Sequence, residues 1–464
     1  MTNQTKTNTN TSIHRAIFPK FYSGNHETHL VMFHPFRPIW HIINHTAFEM
    51  INKYIYGQSI SDIALWIEQK YGLSHQQALH DTQTTIERIV HEGFICEQPQ
   101  ASQRKPKLSS LFFNLSTRCN LSCPHCYILT DSIPKQDMPV DHVFAMLDQL
   151  KASNGQGITL SGGEPFLHPH IRSIISYASQ LNLEIRILTN GTLITKEWAA
   201  FLSSHHVMIQ ISLDGPYADI HDSIRGKGTF NQVMIAIQHL KKNGMKDRIN
   251  LCATLMQPNL AFIDELIQLT QHLEIPMLRF LHLRQKGRAM PSWKQIGEVS
   301  IQTYEQIITH LLEVQKQSNY DIQLTCGMSG FILKLPKDIS IDDIWCPVGN
   351  MLIIDTDGSA YPCVLLMDQP YRIGNAFKSS LNSLIHSKKM GDICQTLAMR
   401  RFFISSCNQC LFNNLCQAGC MCQALDHLGT LNQPDLFCQF RKKSYYNAFD
   451  QLLANMKKRK EFTI

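Results

Sequence analysis

Short apolar, β-branched runs alternate with amphipathic stretches through the middle of the chain. The runs Leu111–Leu115, Gly157–Leu160, Leu183–Leu188, Val207–Leu213, Arg248–Leu255 and Met277–Leu281 predict strands. Between them, Val143–Ala152, Ile171–Gln180, Lys196–Ser204, Phe230–Lys242 and Ala261–His272 repeat apolar positions at helical spacing and predict helices. Strands interleaved with helices predict parallel βα units, with active-site loops at the C-terminal ends of the strands. A partial (β/α) barrel and a doubly wound sheet both satisfy this α/β pattern.

Before the first of these strands, about Phe18 to Cys96 reads as an extended segment followed by helices His45–Tyr56, Ser61–Tyr71 and His75–Glu92. Gly72 predicts the end of the second helix and Ser74 the N-cap of the third. This is a small winged-helix outline. The polar run Gln98–Leu108 predicts one domain boundary and Gly327–Asp338 a second, giving units 1–100, 108–326 and 327–464. Met351-Leu-Ile-Ile predicts core, and the basic tail Lys457–Lys460 a solvated helix end.

With 464 residues, 44% hydrophobic and 17% charged, the chain can bury several cores. No run approaches the roughly 18 apolar residues of a membrane span, and Met1–Arg15 has no apolar centre to act as a secretory signal. A cytoplasmic protein without a membrane partner is expected. The net charge of +6 is too mild to name a partner. Between His41 and Gln100, three basic residues against seven acidic leave −4, which disfavours nucleic acid (DNA) binding by the winged helix, since that affinity rests on Lys and Arg neutralising phosphates.

Fifteen cysteines change the picture. In a reducing compartment, patterned cysteines hold metal or do redox chemistry more often than they form disulfides. Directly after the first predicted strand stands Cys119-x3-Cys123-x2-Cys126-Tyr127. Three thiolates on one tight loop suit three irons of a [4Fe–4S] cube and leave the fourth iron to another ligand. Structural zinc is the alternative, but it normally closes with four protein ligands, and His125 between two ligating cysteines is poorly placed to join them.

This loop, in this place, resembles that of the radical S-adenosylmethionine (SAM) enzymes, built on a partial (β/α)6 barrel. The resemblance implies that SAM chelates the open iron and is cleaved to a 5′-deoxyadenosyl radical that abstracts hydrogen from substrate. Further landmarks follow in order: Gly162-Gly163-Glu164-Pro165 after the second strand, Asn190-Gly191 after the third, Ser212 at the end of the fourth, then Arg225. Glycines admit close backbone approach, and a guanidinium offers a fixed fork of donors to a carboxylate. By resemblance Tyr127, Gly162, Gly163, Glu164, Ser212 and Arg225 bind SAM. The resemblance also implies a flavodoxin or ferredoxin type electron donor.

Farther on come Cys346, Gly358, Cys363, then Cys407-x2-Cys410-x5-Cys416-x3-Cys420 and Cys438. Their order and spacing resemble the SPASM domain, which carries auxiliary iron–sulfur clusters. By that resemblance Cys346, Cys363 and Cys420 hold a first auxiliary cluster, and Cys407, Cys410, Cys416 and Cys438 a second. The first is one ligand short. Cys326, Cys394 or Cys422 supplies it, or the iron stays open to substrate; the closeness of Cys422 to Cys420 argues for strain. Cys96 and Cys252 sit in apolar segments and read as small core residues.

The N-terminal unit resembles the precursor-peptide recognition element of ribosomal-peptide modification systems, through His45-Thr-Ala-Phe-Glu-Met, Ile60-Ser-Asp-Ile-Ala, Tyr71-Gly and Glu92-Gly-Phe-Ile. Such elements add a leader-peptide strand to an exposed sheet edge. Together the parts resemble a peptide-modifying radical SAM/SPASM maturase acting on a precursor peptide, with thioether formation preferred over carbon–carbon or carbon–oxygen crosslinking. Sulfatase-activating relatives carry Asp after the cysteine matching Cys363; Val364 stands here and weakens a formylglycine-generating role. Epimerisation would need a hydrogen-donating cysteine, and Cys252 and Cys326 are equal candidates. A heme-modifying oxidoreductase is the alternative from another class.

Overall fold

The computed structural model describes residues 17–26, 28–96, 105–128, 134–297, 299–318, 321–324 and 346–456. Cys326, the 327–338 boundary, part of the first linker and the 457–460 tail lie outside the described residues.

The N-terminal unit contains β1 (Lys20–Tyr22), β2 (His29–Phe33) and β3 (Trp40–Asn44), then α1 (His45–Ile55), α2 (Ile60–Tyr71) and α3 (His75–His91). Local chemistry sets these boundaries. Asn44, Ser59 and Ser74 cap the three helices through their side chains, and Gly72 ends α2 in the left-handed region at φ 67°. The strands form an antiparallel sheet in the order β1-β2-β3. Strand β2 is buried on both faces. Leu30 and Met32 pack with Ile51, Ile86 and Phe94 of their own unit, whereas Val31 and Phe33 pack with Phe412, Tyr445 and Phe449 far along the chain. The period of two thus splits one strand between two cores.

The central unit runs β4 (Ser110–Ser116), α4 (Val140–Ala152), β5 (Gly157–Gly162), α5 (Ile171–Gln180), β6 (Glu184–Thr189), α6 (Lys196–Ser204), β7 (Met208–Ser212), α7 (Ala218–Arg225), α8 (Thr229–Lys242), β8 (Ile249–Leu255), α9 (Ile263–His272), β9 (Met277–His282), α10 (Ala289–Ile296), α11 (Ile301–Ser318) and β10 (Asp321–Leu324). Strands β4 to β10 lie side by side in chain order and all parallel. A doubly wound sheet reverses its strand order at a switch point. Here β4 to β10 never reverse, so the central sheet is a partial barrel. Strand β4 is buried on both faces: Leu111, Phe113 and Leu115 enter the main core on one side, and Phe112 and Asn114 are buried on the other.

The C-terminal unit adds β11 (Met351–Ile354), β12 (Ser359–Tyr361), β13 (Gly374–Asn375), α12 (Leu381–Ile385), α13 (Lys388–Phe403), α14 (Ser405–Asn408), α15 (Asn413–Cys416), α16 (Met421–Leu428) and α17 (Cys438–Met456). Strand β11 pairs in parallel with β4, so the barrel sheet continues into this unit as one ten-stranded sheet. Its Leu352, Ile353 and Ile354 are fully buried, in keeping with a core reading. No helix among the described residues is long and apolar enough to cross a membrane.

Candidate active site

Parallel strands bring their C-terminal ends to one edge of the sheet, and there a cavity of about 370 Å³ opens. Cys119, Cys123 and Cys126, from the loop after β4, all line it. Two glycines let the neighbouring backbone pass under this loop. A Cβ on Gly163 would stand 2.2 Å from the Arg118 carbonyl oxygen, and one on Gly162 (φ 119°) 2.5 Å from that of Ser116. The chain instead makes close hydrogen bonds there: the Gly163 amide donates to Ser116 at 2.7 Å and the Glu164 amide to Arg118 at 2.8 Å. From the other side the Arg288 amide donates to the Cys126 carbonyl at 2.9 Å, beside Gly287 at φ 57°.

Of the six residues expected to bind SAM, Tyr127, Gly162, Gly163, Ser212 and Arg225 line this cavity. Glu164 does not. Its carboxylate is fully buried and accepts from Thr189 Oγ1 at 2.8 Å, the Asn190 amide at 2.9 Å and the Phe166 amide at 3.2 Å. It braces the end of β5 to the end of β6. Burial pushes its pKa up to about 7 against the pull of those donors.

Arg225 projects from the last turn of α7 and donates to Asp214 Oδ2 at 2.6 Å. Its Nη2 lies 3.3 Å from His125 Nε2, and Asp214 also accepts from the Thr254 amide at 2.8 Å. Burial pushes His125 down to about 4, so the imidazole is neutral and can accept from Arg225. Although burial opposes ionisation of Asp214, the Arg225 guanidinium and the Thr254 amide hold its carboxyl below the usual range. The site therefore presents a fixed, ion-paired guanidinium beside the cysteine loop.

Cys252, expected to be a core residue and named also as a candidate hydrogen donor, is buried and lines the cavity from β8. Other cavity residues have no counterpart in the sequence-based expectations. Arg279, Arg284 and Arg288 come from β9 and the loop after it. The signal was present: a basic run, Arg284-Gln-Lys286-Gly287-Arg288, directly follows the sixth barrel strand. Val364 and Leu365, next to Cys363, close the cavity from the C-terminal unit. One cavity is thus walled by the first cysteine loop and by the first C-terminal one.

A separate cavity of about 320 Å³ is lined together by Cys407, Cys410, Cys416 and Cys438. These are the four residues expected to hold the second auxiliary cluster. Arg441 Nε donates to Cys416 Sγ at 3.3 Å, and Lys20 of β1 donates to the Cys410 carbonyl at 2.8 Å. Gln417, Ala418 and Gly419 take positive φ in succession. This left-handed stretch separates Cys416, in that cavity, from Cys420, whose sulfur belongs to a group with Cys363 and Cys422.

Thiol-rich loops of this kind fit iron–sulfur clusters. Burial pushes Cys119 and Cys438 up to about 11 and Cys407 to about 12, so binding iron releases protons. Among the described residues no three His, Cys, Asp or Glu side chains are placed to hold a single metal ion.

Comparison with known proteins agrees with this geometry. The radical SAM superfamily matches residues 113–267, and an iron–sulfur cluster-binding domain, SPASM, matches residues 346–411. The chain is 26% identical to an AdoMet-dependent heme synthase of Methanosarcina barkeri, over 74% of this chain and 98% of that protein. It is 25% identical to the mycofactocin maturase MftC of Mycobacterium tuberculosis, over 71% of this chain and 82% of that one. The structure of Streptococcus suis SuiB bound to the precursor peptide SuiA superposes with a TM-score of 0.59 at 15% identity, covering 90% of this chain and all of SuiB. The radical SAM domain implies SAM and a [4Fe–4S] cluster, and the SPASM domain implies auxiliary clusters.

Proposed function

Because the chain is a radical SAM enzyme with a SPASM domain behind its barrel, we propose that it matures a ribosomally made precursor peptide, forming a thioether or another crosslink. When bound, the cluster–SAM pair supplies a radical that removes one hydrogen atom, and the auxiliary clusters supply a sink for the second electron. Crosslinking is then a net two-electron oxidation of the peptide.

One observation carries the choice of substrate: the N-terminal unit has a binding groove. A cavity of about 460 Å³ opens among the three helices, between Ala47 and Met50 of α1, Tyr71 of α2 and Asp81, Thr84 and Arg88 of α3, and it reaches the end of β3 at Asn44. Strand β3 is an edge of its sheet, with no further strand paired to it among the described residues. An edge strand beside a helix suits an extended peptide, which would gain main-chain hydrogen bonds from the strand and side-chain contacts from the groove. The fold likeness to a protein solved with its precursor peptide supports the same reading. A leader docked there would deliver its core segment to the barrel cavity, where Cys119, Cys123, Cys126, Tyr127, Gly162, Gly163, Ser212 and Arg225 hold cluster and SAM. Glu164 supports them by bracing β5 to β6.

We place the enzyme in the cytoplasm and assign reduction to a flavodoxin or ferredoxin type donor. Cysteines in metal-binding patterns suit a reducing compartment, and the radical chemistry needs a low-potential electron. The likeness to a heme synthase favours a second reading, in which a porphyrin fills the cavity. Fluorescence titration separates the two. A labelled leader encoded beside this chain should bind the full-length protein and lose affinity when Thr84→Trp fills the groove; porphyrin binding indifferent to that change, with no leader binding, would overturn the peptide reading.

A further inference from the structure

The seven-cysteine SPASM pattern leaves the first auxiliary cluster with three ligands, Cys346, Cys363 and Cys420, and the structure bears on what completes it. Cys420 holds the N-cap of α16 with extended backbone (φ −72°, ψ 114°), and Cys422 is the second residue inside that helix. Within a continuous helix, residues two apart point in nearly opposite directions. Across a helix start this no longer holds, because the cap residue has not yet entered the spiral. The short spacing therefore brings the two sulfurs together without the strain that a helical pair would carry.

The packing agrees. Cys422 is 3% exposed, and its thiol is within hydrogen-bonding reach of both Cys363 and Cys420. Cys363 arrives from a different element, just after β12, and the Leu365 amide donates to its sulfur at 3.4 Å. Arg284 stands over the group, bonded to the Leu365 carbonyl at 3.0 Å. Cys394 comes from α13, its sulfur 3.0 Å from where a Cβ on Gly349 would lie, three residues after Cys346, so it is the competing candidate that the variants below separate from Cys422.

We propose that Cys422 is the fourth protein ligand of the first auxiliary cluster, closing it in a Cys420-x-Cys422 pair at the start of α16. A cluster closed by Cys422 has no iron free for a substrate sulfur. Its part in the reaction is then electron transfer across the wall formed by Val364 and Leu365. The inference rests on the SPASM domain and is independent of whether the substrate is a peptide or a porphyrin.

The test uses the full chain carrying Cys119→Ala, Cys123→Ala and Cys126→Ala, so that only the auxiliary clusters contribute, about eight irons in all. Adding Cys422→Ala should leave one cluster with an exchangeable iron. Mild oxidation should then give the paramagnetic signal of a three-iron cluster, and cyanide should shift the spectrum of the reduced protein. The parent and the Cys394→Ala variant should show neither. Cys422→Ser, with an oxygen ligand in place, should keep the iron count and the circular dichroism of the parent but alter the reduced spectrum. A parent that responds to cyanide, a Cys422→Ser spectrum identical to the parent, or a three-iron signal from Cys394→Ala would each overturn the proposal.

Discussion

Arg284 and Asp426 join the barrel to the C-terminal unit through two hydrogen bonds to one carboxylate oxygen, at 2.6 Å from Nη2 and 2.9 Å from Nε. Both side chains are nearly buried, and the same guanidinium reaches the Leu365 carbonyl beside Cys363. Tyr127, on the first cysteine loop, lies with its ring 5.5 Å beneath it. Three separately coded segments are thus fixed against one cation. Removing Asp426 leaves that cation buried and short of its partner, a loss of about 3–5 kcal/mol. Asp426→Asn should lower the unfolding midpoint more than the double change Arg284→Met with Asp426→Leu, which removes both charges. Equal or greater loss in the double variant would show that the pair adds net stability.

The N-terminal unit is held by aromatic packing. Phe449 of α17 is fully buried, edge-on to Phe33 at 5.0 Å and to Trp40 at 5.3 Å between ring centroids. Phe449→Ala removes the centre of this contact and should cost about 3–5 kcal/mol. The loss falls on docking, since β2 keeps its other face in its own core. Limited proteolysis should therefore release the first hundred or so residues as a folded fragment, and uniform degradation of the whole chain would contradict that division.

Backbone proximity at the cysteine loop leads to a sharper expectation. Gly163→Ala must push aside the Arg118 carbonyl, which no rotamer change relieves. Overpacking of this kind typically costs about 1–3 kcal/mol, here concentrated on the residues that carry Cys119. The reconstituted variant should lose close to a third of about twelve irons and cleave no SAM, while its circular dichroism stays near that of the parent. Replacing Cys119, Cys123 and Cys126 by Ala should give the same iron loss. Retained SAM cleavage in the cysteine variant would misplace the radical-generating site.

Much of this arrangement was readable from local pattern. The barrel strands expected at Leu111–Leu115 and Val207–Leu213 occur as β4 and β7 with ends displaced by one residue, because apolar runs between helical stretches leave little choice of register. Ser74 caps α3 as expected, since its hydroxyl has a free amide three residues on. What local pattern does not carry is partnership across the chain. Nothing near Met351 announces that β11 will extend the barrel sheet beside β4. Likewise, the double burial of β2 depends on aromatic residues some 380 positions later, such as Phe412. Glu164 sits in a motif read as ligand-facing, yet its carboxylate is taken up by Thr189 and Asn190 on the next strand. Strand ends place residues near a site, but whether a given side chain turns toward it depends on which neighbours offer donors.

Acid should loosen the N-terminal junction through one histidine. His34 is buried at the end of β2, where its Nδ1 accepts from the Phe36 and Arg37 amides at 3.0 and 2.9 Å and its carbonyl accepts from Asn414. Burial, reinforced by Arg37, pushes its pKa from 6.5 down to about 4. A base depressed in this way binds its proton more readily in the unfolded chain, so stability rises with pH across the interval. The contribution is complete above pH 6.5 and is lost progressively as pH falls toward 4, to about 3 kcal/mol at most. His34→Asn keeps an acceptor near the Nδ1 position but cannot titrate there. Its baseline stability should be lower, since Nε2 and the contact with Phe94 disappear, but unfolding midpoints measured from pH 7 to 4 should fall less steeply than those of the parent. Parallel slopes for the two proteins would mean that His34 does not change its protonation on unfolding.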